Sequence, residues 1–124
     1  MILSNLTERR DGAWRRISMD VAWEDSPATP QTLYFEAEGE TAELMHPRAD
    51  GFAIACLPLA EWMGEKRLRV EAPLCTRLRS GLKIATEVYC QWHTRCSMLL
   101  LEAAQGFQPT SPPAERRVAS FLSS

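Results

Sequence analysis

The chain has 124 residues, 45% hydrophobic and 24% charged, with 14 basic against 16 acidic side chains and a formal net charge of −2. One domain of that size can bury a real core, and the composition is that of an ordinary globular protein. Basic residues occur in nothing longer than pairs such as Arg9-Arg10 and Lys66-Arg67, which excludes an electrostatic footprint for nucleic acid or an anionic membrane.

In chain order, residues 1–10 lack the apolar core of a signal peptide. Ile17, Met19, Val21 and Trp23 then alternate with Arg16, Ser18, Asp20 and Ala22, a period of two that predicts a strand with one buried face. Asp25 to Pro30 is turn chemistry. A second strand is expected over Thr32 to Ala37, with Leu33 and Phe35 on one face and Tyr34 on the other. The pair reads as an antiparallel hairpin. The acidic run Glu36 to Glu43 lacks the geometry of a calcium loop and reads as a solvated face.

From Pro47 the pattern becomes helical, with Phe52, Cys56, Leu59 or Ala60, and Met63 at helical spacing. Pro58 inside this run predicts a kink or a break into two shorter helices, and Gly64 is placed as a C-cap. The run from Gly51 to Met63 is interrupted by Pro58 and Glu61 and is too short to span a bilayer. Lys66 to Glu71 alternates as a strand. Ala72-Pro73 opens a second helix, whose stripe is Leu74, Leu78, Leu82, Ala85, Tyr89 and Trp92. Residues 97–103 read as a buried strand, 105–116 as a proline-bearing linker, and 117–122 as a closing strand that runs into Ser123-Ser124.

The expected fold class is therefore α+β: a small mixed or antiparallel sheet, in the order β-β-α-β-α-β, with two helices on one face. Residues 1–104 form the domain, 105–116 the linker and 117–124 a strand that could begin another domain. The expected location is the cytoplasm. The cysteines Cys56, Cys75, Cys90 and Cys96 contain no Cys-x-x-Cys pair and read as reduced thiols.

The sharpest local pattern is Cys90-x2-His93-x2-Cys96 with Cys75 upstream, since three thiolates and an imidazole form a recognised tetrahedral zinc set. The bland alternative carries more weight. The tight knuckle that usually opens a structural zinc site is missing, and a helix through Cys96 would point Cys90 and Cys96 apart. His93 would then simply mark the helix end, where an imidazole interacts with free carbonyls. The sequence has no Gly-x-Ser-x-Gly elbow, no Gly-x-Gly-x-x-Gly and no Walker loop, so no catalytic residue is assigned.

Several phrases taken together carry a resemblance. They are Thr32-Leu33-Tyr34-Phe35-Glu36, Arg48-Ala49-Asp50-Gly51-Phe52 and Leu68-Arg69-Val70-Glu71-Ala72-Pro73, followed by Leu78, Trp92 and the stretch Met98 to Ala103. The closing Val118-Ala119-Ser120-Phe121-Leu122-Ser123 completes the set. Over roughly residues 14 to 124 the chain resembles the N-terminal domain of bacterial proteins that continue into a PP-loop ATP-pyrophosphatase domain of the adenine-nucleotide alpha-hydrolase-like superfamily. In one register Ser123 matches the first serine of that family's Ser-Gly-Gly-x-Asp-Ser loop, and Ser124 stands where a glycine is expected. Shifted by one, Ser124 is the first serine. Either serine would begin a phosphate loop whose backbone N–H groups hold pyrophosphate at a helix N-terminus.

The resemblance implies adenylation chemistry with ATP and Mg in the parent family, and no cofactor in this chain. The chain itself would be an accessory, substrate-facing or assembly domain, not catalytic alone. Its partner would be a C-terminal ATP-binding domain or another protein subunit, with a homodimer as a further expectation. The alternative is a stand-alone interaction or structural module, and behind it a small zinc protein.

Overall fold

The computed structural model describes residues 1–94 and 96–109. In chain order the elements are β1 (Ile2–Asp11), β2 (Trp14–Ala22), β3 (Gln31–Glu38), α1 (Gly39–Leu44), α2 (Asp50–Trp62), β4 (Arg67–Val70), β5 (Leu74–Cys75), α3 (Thr76–Trp92), β6 (Leu100–Ala103) and β7 (Phe107–Gln108). The fold is α+β, as the alternating periods of two and 3.6 predict.

Five strands form one mixed sheet in the order β3-β2-β1-β4-β6. β1, β2 and β3 are joined antiparallel, whereas β4 runs parallel to β1 and β6 parallel to β4. The parallel step from β4 to β6 is made through α3, the usual way of connecting parallel neighbours. Ile17, Met19 and Val21 on β2 and Leu68 and Val70 on β4 are buried, while the residues between them reach solvent. They pack with Phe52, Ala53, Cys56, Leu57 and Ala60 of α2 and Leu82 of α3 in one core.

The central strand β1 is absent from the sequence expectation. Only Met1 and Leu3 of its neighbourhood are fully buried, and the register with β2 shifts between Ser4 and Thr7, where Asn5 has φ 55. That bulge interrupts the alternation by which a strand is recognised. Beyond it, Thr7 to Asp11 extend with β2 as a polar hairpin arm, closed by Gly12 at φ 60. The left-handed conformation suits glycine. The end of the acidic run also orders: residues 39–44 form α1.

Pro58 does not divide the first helix, which is a single element from Asp50 to Trp62. The proline lies on the solvent side, where water can satisfy the carbonyl that loses its N–H partner. Gly64 (φ 75) does end it. The Gly64 N–H donates to the Glu61 carbonyl at 3.1 Å and the Glu65 N–H to the Ala60 carbonyl at 3.0 Å, the paired bonds of a Schellman ending.

α3 starts at Thr76, later than Pro73, because Leu74 and Cys75 pair with Phe107 and Gln108. That pairing also brings the first residues of the expected linker back onto the domain. The rest of the linker from residue 110, and the strand expected over 117–122, lie outside the described residues. No helix among the described residues is long and apolar enough to cross a membrane.

Candidate functional site

The stripe of α3 is only half covered. Leu74 and Leu82 are buried, yet Trp92 is 76% exposed, and alongside the stripe Val88 and Ile84 are 38% and 62% exposed. On α2, Ile54 and Trp62 are 52% and 72% exposed. Both helices use one face for the sheet and leave a second apolar face open. Between them runs a groove of about 430 Å³, lined by Ile54, Leu57 and Pro58 from α2 and by Ala85, Val88 and Trp92 from α3. Contiguous apolar surface of this kind marks interaction sites on soluble domains.

Among the described residues, one charged residue borders the groove. Glu61 is buried at 3% exposure near the end of α2, where the helix dipole opposes an anion. Its compensation comes from the chain after α3. Oε2 accepts hydrogen bonds from the Ser97 N–H at 3.0 Å and the Ser97 hydroxyl at 3.2 Å, and Oε1 accepts from the Leu99 N–H. Glu61 thereby fixes the loop that carries Cys96. It also borders a second cavity of about 360 Å³ with Trp62, Tyr89, His93 and Thr94.

A second buried carboxylate sits a turn away. Glu65 is fully buried and accepts from the Met1 ammonium, the Glu24 N–H (3.1 Å), the Asp25 N–H (3.1 Å) and the Ser26 N–H (2.9 Å). Burial pushes its carboxyl up, but the ammonium and backbone donors outweigh that, and the pKa is lowered. Beside it, hydrogen bonds from Arg67, set against partial burial and joined by the Met1 ammonium, hold the Glu24 carboxyl down to about 2. This cluster ties β1, the turn after β2 and the start of β4 together. Its donors are spent on structure.

The zinc set read from the sequence does not assemble. Cys75 precedes the first residue of α3, and a rise of 1.5 Å per residue places it about 22 Å along the helix from Cys90. Its N–H donates to Asp50 Oδ1 at 2.6 Å. His93 follows the last residue of α3 as its C-cap, its backbone N–H donating to the Tyr89 carbonyl at 3.0 Å and its ring 4.3 Å from that of Tyr89.

The reduced state expected for all four cysteines is corrected for two of them. Cys90 and Cys96 form a disulfide, their Cα atoms 4.9 Å apart. The helix stops at Trp92, so the chain turns back and brings the sulfurs together instead of pointing them apart. Cys56 is buried in the core, which pushes its thiol up to about 11. Ser123 and Ser124 lie outside the described residues.

In the sequence Glu61 reads only as an interruption of an apolar run. An acid within an otherwise apolar helix stretch was the available signal, since a buried carboxylate must have partners. No protein-family model, curated protein or solved structure matches the chain.

Proposed function

We propose that this chain is an accessory domain of a PP-loop ATP-pyrophosphatase-type enzyme, non-catalytic alone, which docks the ATP-binding domain through its α2–α3 groove in the cytoplasm. The observation that carries the reading is Trp92. It is one of the positions on which the family resemblance rests, and it stands 76% exposed at the end of an apolar groove. Nothing in the core of the domain requires a tryptophan there. A large aromatic beside an apolar groove is the usual anchor of a protein interface.

The distribution of polar groups supports the same reading. Glu61, Glu65 and Asp50 hold backbone N–H groups, and Arg67 holds Glu24 and Glu102. These charges stabilise loops and strand ends. The groove is apolar, so it suits a protein surface better than ATP, whose phosphates need N–H or cationic donors. In this reading the phosphate loop, with ATP and Mg, belongs to the partner domain, and Ser123 or Ser124 is the first residue that leads into it.

The test is association with a PP-loop ATP-binding domain of the resembled family, produced as a separate chain. The domain alone is expected to release no pyrophosphate from ATP. Adding the ATP-binding domain is expected to give a 1:1 complex. Trp92→Ala should weaken it by about 2 kcal/mol or more, roughly 30-fold, as interface anchors do. Pyrophosphate release by the purified chain alone, or a complex indifferent to Trp92→Ala, would sink the proposal.

A further inference from the structure

At the border of the groove, one side-chain cluster brings together two sulfurs and a carboxylate. The two sulfurs of Cys90 and Cys96 and a carboxylate oxygen of Glu61 all lie within 4.8 Å of one another. Glu61 is buried and both cysteines are half-buried. We propose that Glu61, Cys90 and Cys96 form a three-ligand site for a thiophilic divalent cation of the zinc class, open when the Cys90–Cys96 bond is reduced.

Donor type is the first argument. Two thiolates and a carboxylate suit zinc, and three protein ligands with a free fourth position is the pattern of an open zinc site. Size is the second. Tetrahedral ligands at about 2.3 Å from the ion lie roughly 3.8 Å apart; the Glu61 oxygen is within 4.8 Å of both sulfurs, and reduction of the Cys90–Cys96 bond frees the two sulfurs to part to that spacing. The third is that the carboxylate is already oriented. Of its roughly four lone-pair positions, Ser97 takes two on Oε2 and Leu99 one on Oε1. Among the described residues one position on Oε1 remains for a cation, and the loop bonds act as the outer shell that fixes a ligand.

His93 is not part of the group. Its ring packs on Tyr89 and, at 6.4 Å, faces Trp62 edge-on. The site therefore differs from the Cys-x2-His-x2-Cys set that spacing suggests. It also stands independently of the proposed docking function.

The chemistry balances simply. Two reductant thiols supply two electrons and two protons and become their own disulfide, or a phosphine supplies the electrons, takes the oxygen of a water and leaves its two protons; either way the Cys90–Cys96 disulfide becomes two thiols. The cation then binds both sulfurs as thiolates and releases two protons. Disulfide and metal are mutually exclusive, because each uses the same sulfur electrons. In a reducing compartment, where disulfides are transient, the dithiol is the form that meets the cation.

Cobalt(II) titration of the phosphine-reduced, chelator-stripped chain tests this under argon. The expected result is one cobalt per chain, with thiolate charge-transfer bands and the visible bands of a tetrahedral ion, displaced by zinc. Cys90→Ser and Cys96→Ser should each abolish those bands, and Cys75→Ser should leave them unchanged. Glu61→Gln should weaken binding about tenfold or more. The oxidised wild-type chain is the control that needs no variant to fold, and it should bind no cobalt at the cluster. No binding by the reduced chain, binding that survives loss of both cysteines, equal binding by the oxidised chain, or full affinity in folded Glu61→Gln would each overturn the assignment.

Discussion

Glu65 is the residue on which the sheet's central junction depends. Its carboxylate meets the Met1 ammonium with both groups at 0% exposure. Removing one member of such a pair leaves an uncompensated buried charge, which costs about 3–5 kcal/mol. Glu65→Ala should lower unfolding stability by that amount in urea, far more than Glu43→Ala on the exposed surface. The same junction sets the acid limit. The Glu24 pKa is lowered from 4.5 to about 2, and that of Glu65 is lowered too. Depressed carboxylates contribute stability that is complete above the unfolded value and disappears as pH falls through the folded one. Urea midpoints should therefore fall between about pH 5 and pH 2, and Arg67→Met should shift that fall to higher pH. A midpoint flat across this range would refute the linkage. None of this was legible in the sequence, because Glu65 is separated from its donors by 39 to 64 positions. Glu61 and its donors are likewise 36 and 38 apart.

At the scale of elements, local signals served well where they were uninterrupted. The alternation of Ile17, Met19 and Val21 on β2 and the stop at Gly64 after α2 were both readable. β1 was not, because its bulge breaks the period and its outer half is a polar arm. α2 survives Pro58 because tertiary burial of Phe52, Cys56 and Ala60 outweighs one lost hydrogen bond. Pro58→Ala should restore that bond and raise stability by about 1–3 kcal/mol. Gly64→Ala should do the reverse, losing about 1 kcal/mol, since φ 75 is costly for any residue with a Cβ. Urea unfolding of the two variants checks both signs. The stripe on α3 was also correctly periodic, yet it misled in one respect. Periodicity identifies an apolar face without saying what covers it, and here Ala85 and Trp92 meet solvent while Leu82 meets the sheet.

For the whole molecule, that uncovered face is what links the structure to the proposed function. The sheet carries α2 and α3, and the two helices expose Ile54, Val88 and Trp92 along one groove. The charged groups of the Glu65 junction lie among backbone donors and act in folding. The proposed function therefore rests on a surface, and the phosphate chemistry belongs to the partner domain only within that proposal. Isothermal titration calorimetry of this chain against a PP-loop ATP-binding domain, for wild type and Ile54→Glu, tests that account most directly. Ile54 is 52% exposed, so the substitution should leave the unfolding midpoint unchanged. The account predicts a 1:1 complex for wild type and its loss in Ile54→Glu. An absence of binding by wild type, or equal binding by the variant, would contradict it.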